Sequence, residues 1–405
     1  MIVFINSNPN IETMAPQRKA NRQLRILHVI SGLATGGAEA MLFKLVKAHK
    51  ERHISSRVIC LRQDGSMVPY FREIGIEVIC LGIEPDKLMS IIRVFRLAKI
   101  LWSYRPDVIH GWMYHGNLAA LIASLLMIPR PRLCWNIRQT IDSLVFEKSM
   151  TRKAIQLNAF VSRIPDRIFY NSQVSAEQHE KLGFKSGSRI VIPNGFDLTR
   201  FKPSLQCRDQ DLRGELGLFE ETILVGHVAR FHQKKDHDNF LLAATRVIQD
   251  YPEVKFIAAG WHINRENTVL MERIKHLGLE KMVLCLGERR DIPRLMSALN
   301  VFVSSARSGE GFPNTIGEAM ASGVPCVVTD VGESANIVGN WGRVVVPNNS
   351  GLLAAAIIDV LSLSPQERHI WGQKCRERIA RKYAIGNVSE EYRQIYDSLC
   401  SSGRV

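Results

Sequence analysis

Two glutamates flank a glycine-containing turn in the second half of the sequence. After the apolar run 301–303, Glu310 precedes Gly311-Phe312-Pro313, and Glu318 falls about one turn inside the helix that Pro313 opens. Proline suits a helix start, where its missing N–H costs nothing. The free N–H groups of such a start attract anions, of which phosphate is the commonest. A nucleotide offers phosphates for those donors and ribose hydroxyls for a carboxylate.

A solvated surface charge is the simpler interpretation of Glu318 taken alone, because acidic side chains are seldom buried. Its apolar neighbours on the helix, Ile316, Ala319 and Met320, favour a position against the core instead.

Two cations follow an apolar run at 222–228 in the same half. Arg230 and Lys235 lie five residues apart in the loop after this predicted strand. Ligands of open α/β sheets bind at the carboxyl ends of the strands, so we expect both cations to face the cleft that the glutamates face. Fixed cations there would stabilise the negative charge of a phosphate or diphosphate group. A solvated turn is the alternative for this Lys-Lys-Asp-His loop.

The size and composition suit a globular protein with an anionic partner. The chain has 405 residues, enough for two domains, with 46% hydrophobic and 23% charged residues and a formal charge of +14. Nucleotide sugars, lipid diphosphates and anionic membranes are candidate partners, whereas no basic module typical of nucleic-acid binding is present. No apolar run reaches membrane-spanning length. The eight cysteines lack any C-x-x-C pair, so we expect reduced thiols in a cytoplasmic protein.

Apolar runs alternate with segments of helical spacing along most of the chain. Predicted strands lie at 24–30, 57–61, 77–81, 106–110, 133–137 and 167–170, and the pattern restarts at 222–228, 254–259, 283–286, 301–303 and 324–329. Regular alternation indicates parallel strands with helices on both faces. We therefore predict an α/β protein with two doubly wound, Rossmann-like domains facing across a cleft. The predicted boundaries are 24–200 and 201–385, after a disordered extension at 1–23 and before a C-terminal helix at 386–405, a candidate to cross back to the first domain.

The turn after the first predicted strand contains Gly36-Gly37-Ala38-Glu39. It is a βα turn of the phosphate-binding kind, although tight packing of helix on strand explains two glycines nearly as well. It lacks the G-x-G-x-x-G pattern, which argues against a nicotinamide dinucleotide.

The glutamate pair, with Gly-Phe-Pro between and Glu-Ala-Met-Ala at its end, resembles the motif of family 4 (group 1) retaining glycosyltransferases, which have the GT-B fold. The order of motifs over about 24–385 is that of the family. The resemblance implies that Glu318 binds the ribose and Glu310 the donor sugar, and that Arg230 and Lys235 are catalytic. Asp236 replaces a glycine that most members have. Implied donor-binding residues are Gly36, Gly37, Arg289, Ile292, Gly311, Phe312, Pro313, Asn314 and Thr315.

One departure from the family concerns a histidine that many members place after the fifth strand. Arg138 stands there, and His115 is the candidate to fill the role, with His110 a weaker one. A packed, hydrogen-bonded histidine is the alternative for each. Arg138 and Tyr114 are candidates to bind the acceptor, since an arginine could hold the phosphate of a lipid-linked acceptor.

The resemblance implies a retaining hexosyl- or N-acetylhexosaminyltransferase that moves a sugar from a nucleotide-diphosphate sugar to a saccharide acceptor in cell-surface polysaccharide biosynthesis, and we expect that acceptor to be lipid-linked. No clear carboxylate nucleophile is present, so we expect the substrate phosphate to help take the proton. No D-x-D site is present, so we expect neither a metal nor a cofactor beyond the nucleotide sugar. The alternatives are a sugar-nucleotide epimerase, a non-catalytic nucleotide-binding protein and a nicotinamide-dependent oxidoreductase.

Basic residues with apolar neighbours recur in the first half of the chain. They favour a cytoplasmic enzyme with peripheral contact at the inner face of an anionic membrane. Ordinary amphipathic helices explain them about as well. The residues concerned are Arg93, Arg96, Lys99, Arg130, Arg132, Lys148, Arg152 and Lys153.

Overall fold

The computed structural model describes residues 23–34, 36–63, 65–83, 91–141, 143–203 and 210–401. The extension predicted at 1–23 therefore lies outside the described residues, apart from residue 23. The described chain forms two parallel sheets, each covered by helices on both faces, which confirms the predicted pair of doubly wound domains.

The first sheet has the strand order β3-β2-β1-β4-β5-β6-β7. Its five inner strands are mostly buried, as expected where helices cover both faces of a parallel sheet, whereas the edge strands β3 and β7 are partly exposed. The strands are β1 Arg25–Ile30, β2 Ser55–Cys60, β3 Glu77–Cys80, β4 Val108–Trp112, β5 Arg132–Ile137, β6 Arg167–Tyr170 and β7 Arg189–Val191. The helices are α1 Gly37–Glu51, α2 Val68–Glu73, α3 Ile91–Tyr104, α4 Met113–Leu125, α5 Ser149–Val161 and α6 Gln173–Lys181.

The second sheet has the strand order β10-β9-β8-β11-β12-β13. In both sheets the order reverses beside the first strand of the domain, and ligand clefts of open α/β sheets form at such points. The elements are α7 Gln210–Glu215, β8 Leu224–Val228, α8 His237–Asp250, β9 Lys255–Ala259, α9 Thr268–His276, β10 Val283–Cys285, α10 Ile292–Ala298, β11 Val301–Ser304, α11 Asn314–Ala321, β12 Cys326–Thr329, α12 Ser334–Val338, β13 Gly342–Val345, α13 Ser350–Ser362 and α14 Pro365–Tyr383.

The chain crosses between the domains twice, and the two crossings lie side by side. Phe196 donates its N–H to the carbonyl oxygen of Tyr383 at 2.8 Å, and Ile385 donates to that of Phe196 at 2.9 Å. After the second crossing, helix α15 Ile385–Ser401 packs on the first domain. One face of α15 enters the first core, with Val388, Tyr392, Tyr396 and Leu399 at helical spacing.

Several local features differ from the sequence prediction. The apolar residues at 118–126 predict a helix there, whereas α4 already begins at Met113, because β4 runs straight into it and Met113 takes a left-handed conformation, φ 60°, in place of a turn. Helices α5 and α6 and strand β13 were not predicted, since their apolar residues do not form a clear stripe or run. Within the described ranges, no helix combines the length and the apolar composition needed to cross a bilayer.

Candidate active site

The turn that carries Glu310 leads from strand β11 into helix α11. Pro313 precedes the helix in an extended conformation, and its own side chain makes no capping hydrogen bond. Among the residues that the structure describes, no side chain accepts from the first N–H groups of α11, which leaves them available to a ligand. At Gly332, φ 62°, a Cβ would lie 2.0 Å from the carbonyl oxygen of Glu310, so the chain supports the turn by a close backbone approach. This is the strand, turn and uncapped helix start that the sequence predicts.

Lys235 and Glu310 form an ion pair across adjoining strand ends, with side chains 27% and 10% exposed. Lys235 ends the short 3-10 turn Gln233–Lys235 that follows β8. Ser305 Oγ donates to the carbonyl oxygens of Lys235 at 3.0 Å and Asp236 at 2.9 Å. These bonds tie the loop after β8 to the loop after β11, which brings one predicted cation to one predicted acid.

Asp236 stands where the motif that this loop resembles has a glycine. It takes the left-handed conformation that glycine readily adopts, with φ 50° and ψ 59°. Aspartate tolerates this region because its short side chain bonds locally. Its carboxylate accepts from the N–H of Asn239 at 3.3 Å and from Arg307 Nε at 3.3 Å. The replacement is therefore compatible with the turn that positions Lys235.

Arg230, the second predicted cation, follows β8 and is exposed. In the part of the chain that the structure describes, its guanidinium has no hydrogen bond or ion pair. Its planar fork of donors suits a phosphate group. Of the two predicted cations, Arg230 is thus unengaged and Lys235 is paired.

Glu318 is half-buried near the middle of α11. Burial raises the pKa of its carboxyl, and the charges of Lys44 and Arg200 oppose that rise. Lys44 belongs to α1 of the first domain, and its Nζ donates to the carbonyl oxygen of Gly195 at 2.6 Å. Burial lowers the pKa of Lys44 to about 8, and Glu318 is the charge that opposes this most. A cation of the first domain therefore faces the acid predicted to bind the ribose.

The first domain also contacts the start of α11 directly. Asn194 Nδ2 donates to the carbonyl oxygen of Phe312 at 3.1 Å and to Asn314 Oδ1 at 2.9 Å. A Cβ on Gly37 would lie 3.5 Å from Asn314 Nδ2, so the glycine turn after β1 reaches the helix start. The predicted residues Gly37, Phe312 and Asn314 are thus brought together from both domains.

Gly36 and Gly311 also lie at close approaches. Gly36 precedes α1, and a Cβ there would lie 2.4 Å from the carboxylate of Glu39, whose pKa burial raises. At Gly311 a Cβ would lie 3.3 Å from the side chain of Asn171 and 3.6 Å from Thr140. Both contacts leave little room for a larger residue in the cleft.

Of the remaining motif residues, Phe312 has a packing role. Its buried ring lies against Phe196, at 6.2 Å between ring centroids, and Tyr383, at 5.4 Å. Only its backbone is therefore left to meet a ligand. Pro313 is buried, and Thr315 is half-buried beside it.

Arg289 is occupied by acidic partners of its own domain. Its Nε donates to Asp291 Oδ1 at 2.8 Å and its Nη1 to Glu215 Oε1 at 3.0 Å. Asp291 is the main cause that raises the pKa of this guanidinium. Ile292 begins α10 and packs against the core. Donor binding by Arg289 and Ile292 thus stays a prediction, and the side chain of Arg289 is engaged by acidic partners.

His115 is exposed on the first turn of α4. Neighbouring residues still cover part of its ring, and this partial burial lowers the pKa of His115, with the charge of Arg62 adding to the effect. Its role in the reaction stays a prediction. The weaker candidate His110 lies in the core, with its Nδ1 2.6 Å from the hydroxyl of Tyr396, so the packing alternative holds for His110.

The structure contradicts an acceptor contact for Tyr114 and Arg138. Tyr114 is 2% exposed, and its hydroxyl lies 2.7 Å from His179 Nε2. Arg138 is buried, where its Nε donates to Asn194 Oδ1 at 2.9 Å and its Nη1 to the hydroxyl of Tyr392 at 2.8 Å. Both side chains are enclosed by protein, because α5 and α6, which the sequence analysis did not predict, lie over Tyr114, and α15, the predicted C-terminal helix, contacts Arg138.

Sequence reasoning missed Lys44 and Asn194 as residues of the site. A signal for Lys44 was present: it lies three residues after Met41 and four before Ala48, both buried, so helical spacing places a lysine on the apolar stripe of α1. Asn194 gave no signal, because the two groups to which its side chain donates, on Phe312 and Asn314, belong to the other domain. Among the residues that the structure describes, no cluster of three His, Cys, Asp or Glu side chains is arranged to hold a metal.

Two family models match the chain, one in each domain. The model of Glycosyltransferase Family 4 matches residues 35–200, and that of Glycosyl transferases group 1 matches residues 208–378. Together they span both sides of the cleft described above.

Curated relatives match over nearly the full length. The chain is 26% identical to a protein named putative glycosyltransferase EpsF of Bacillus subtilis, over 91% of this chain and 90% of the relative. It is 25% identical to the UDP-Gal:alpha-D-GlcNAc-diphosphoundecaprenol alpha-1,3-galactosyltransferase of Escherichia coli, over 94% and 98%.

A solved structure of Anabaena Alr3699/HepE in complex with UDP-glucose superimposes with a TM-score of 0.79 at 24% identity, over 93% of this chain and all of that one. This likeness identifies the two-domain arrangement as the GT-B fold. The two family models, which match one domain each, establish that the chain belongs to the family 4, group 1 glycosyltransferases.

Proposed function

We propose that this glycosyltransferase moves a hexosyl or N-acetylhexosaminyl residue from a nucleoside-diphosphate sugar to a lipid-linked saccharide, with retention of anomeric configuration. The proposed setting is cell-surface polysaccharide synthesis at the cytoplasmic face of the membrane. The proposed reaction needs no metal and no cofactor beyond the donor.

The observation that carries the proposal is the meeting of Lys235, Glu310 and the uncapped start of α11 at neighbouring strand ends. Exposed Arg230 adds an unengaged cation on the same loop as Lys235. Two cations and a set of N–H donors suit a diphosphate, whose negative charge grows as the sugar leaves. A dinucleotide cofactor would not need a second carboxylate, Glu310, at this position.

In the proposed reaction the acceptor hydroxyl attacks the anomeric carbon on the face from which the nucleoside diphosphate departs. The bond from that carbon to the β-phosphate oxygen breaks, and the electron pair stays on the phosphate. Arg230, Lys235 and the N–H groups of α11 stabilise this leaving group. The departing phosphate oxygen takes the proton of the acceptor hydroxyl, and Glu310 positions the sugar.

The similarity to the Escherichia coli galactosyltransferase supports a uridine nucleotide and a diphospholipid acceptor for this chain, since that relative uses UDP-Gal and a diphosphoundecaprenol-linked sugar. Glu318 is proposed to accept hydrogen bonds from the ribose hydroxyls. For this it must be ionised, and the charge of Lys44 opposes the rise of its pKa.

The experiment measures donor binding and turnover separately. Thermal shift with a panel of nucleotide sugars identifies the donor, because a ligand at one hundred times its Kd stabilises the protein by about 2.7 kcal/mol. Glu318→Gln should weaken that shift. Lys235→Gln should lower kcat by roughly a hundredfold or more, the usual effect of removing one leaving-group stabiliser. Glu272→Gln, an exposed acid on α9, is the matched control for Glu318→Gln.

Unchanged donor affinity in Glu318→Gln together with unchanged turnover in Lys235→Gln would refute the proposed site. The epimerase alternative predicts an altered sugar and no acceptor-linked product. A non-catalytic protein would show the thermal shift and no release of nucleoside diphosphate. An inverted linkage in the product would contradict the retaining mechanism.

A further inference from the structure

Helix α5 of the first domain carries an apolar stripe on its outer face. Met150, Leu157 and Phe160 are exposed at helical spacing, and Phe160 is 84% exposed. The opposite face of the helix is buried, with Ala154 and Ile155 in the core. The apolar residues of the outer face therefore do not serve the packing of this domain.

Segments next to α5 in the fold expose further apolar side chains. Helices α4 and α5 pack on each other, and Asn158 Nδ2 of α5 donates to the carbonyl oxygen of Tyr114 in α4 at 3.0 Å. Arg152 joins the turn before α5 to the helix by donating to the carbonyl oxygen of Val145 at 3.4 Å. We define the α4–α5 surface by its exposed apolar residues: Ile122, Leu125, Leu126, Ile128, Val145, Met150, Leu157, Phe160 and Ile164.

Cations, and few acids, accompany these apolar side chains. Lys148, Lys153 and Arg163 are exposed on or beside α5. Helices α3, α4 and α5 contain no aspartate or glutamate. Arg93 and Arg96 are also among the basic residues predicted to contact the membrane, but their side chains lie outside the part of the chain that the structure describes. An apolar surface bordered by cations complements an anionic bilayer, where the apolar groups enter the acyl boundary and the cations meet the headgroups.

A second copy of the chain fits this surface poorly. A two-fold dimer would bring the same patch of both copies together, so the cations of one copy would approach those of the other. Nothing acidic in α3, α4 or α5 would neutralise them.

We propose that the α4–α5 surface docks the protein on an anionic phospholipid bilayer. The surface begins near the cleft: Val145 lies five residues after Thr140, which is 3.6 Å from the Cβ position of Gly311 in the donor-side turn. Docking there would present a lipid-linked acceptor to the cleft without the acceptor leaving the bilayer. This use of the surface rests on the proposed function, whereas binding of the surface to lipid does not.

The test is cosedimentation of the full chain with vesicles, in the absence of nucleotide and acceptor. The chain should bind vesicles containing phosphatidylglycerol, should bind phosphatidylcholine vesicles at least tenfold more weakly, and should lose affinity as salt rises. A triple variant, Lys148→Gln, Lys153→Gln and Arg163→Gln, should bind about a hundredfold more weakly, at about 1 kcal/mol for each cation near the surface. Phe160→Ser should lose about tenfold through the apolar contact.

The matched controls lie on the second domain. Arg265→Gln, Lys275→Gln and Lys281→Gln together remove the same charge from exposed positions, and Phe219→Ser removes an exposed ring. These controls should change vesicle binding by less than twofold. Circular dichroism and the thermal shift with donor check that every variant is folded.

Failure of the wild-type chain to bind anionic vesicles at low salt would overturn the proposal and leave the surface to an acidic protein partner. Equal losses in the two triple variants would also overturn it, because net charge rather than this surface would then be responsible. The donor measurements stand apart from both results, so the proposed transfer reaction can fail or hold independently.

Discussion

Acidification should destabilise the first domain through a cluster of buried histidines. His28 lies between His49 and His110, with ring centroids 5.9 and 5.8 Å away. Burial lowers the pKa of His49 to about 3 and that of His110 to about 3. It also lowers the pKa of His28, with His110 and His49 adding to the effect. The hydroxyl of Tyr396, 2.6 Å from His110, joins this cluster to α15.

The size and sign of the effect follow from the two pKa values of each ring. An unfolded histidine titrates near 6.5, whereas the folded rings stay neutral down to about 3. Between these values the unfolded chain binds more protons, so the stability present above pH 6.5 is lost as the pH falls. From pH 8 to pH 5.5 each ring loses about 1.4 kcal/mol, or about 3 kcal/mol for His49 and His110 together.

The assay is urea unfolding followed by circular dichroism at pH 8 and pH 5.5. His110→Gln removes one titrating ring, so the difference in the free energy of unfolding between the two pH values should shrink by about 1.4 kcal/mol. His276→Gln, on the exposed end of α9, is the control and should leave that difference unchanged. A difference in His110→Gln equal to that of the wild type would refute the reasoning, whatever the stability of the variant at pH 8.

Three further predictions concern single positions. Arg138→Met leaves several buried acceptors unpaired and should lower the free energy of unfolding, measured by urea titration, by about 3 kcal/mol. An unchanged free energy of unfolding would contradict a structural role for Arg138. Gly317→Ala, whose Cβ would lie 2.1 Å from the Phe196 ring, should destabilise by about 1–3 kcal/mol, whereas the open Gly214→Ala in α7 should stabilise by about 0.5–1 kcal/mol. Burial lowers the pKa of Lys44 to about 8, so this residue loses its positive charge as the pH rises through that value. The affinity of the wild type for the anionic donor, measured by calorimetry, should therefore fall over this pH range, and Lys44→Met should abolish that dependence.

The chemistry of the donor side was largely readable from the sequence. Glu310, the helix start at Pro313 and the loop with Arg230 and Lys235 are close in sequence to the strands that position them. Parallel strands end at one edge of a sheet, so local pattern was enough to predict that these residues meet. The ion pair between Lys235 and Glu310 agrees with that expectation.

The acceptor contacts predicted for Tyr114 and Arg138 were wrong because the sequence did not indicate which helices cover these residues. Helix α5 exposes Phe160 and Leu157 and buries Ala154, so its apolar residues do not mark the buried face. Without α5 and α6, Tyr114 and Arg138 looked like residues of an open strand end. Their partners, His179 and Tyr392, are 65 and 254 residues away in the chain. No local pattern reports such contacts.

The amino-acid sequence was enough to predict the features that depend on local order: alternating strands and helices, the two sheets that follow from them, and the strand-end loops with their acids and cations. How the domains meet became visible in the folded molecule alone. There the charge of Lys44 acts on Glu318, Arg138 is bonded to Asn194, and α15 returns to the first core. These contacts arise where burial and hydrogen-bond satisfaction act between distant segments, and one-dimensional periodicity carries no information about them.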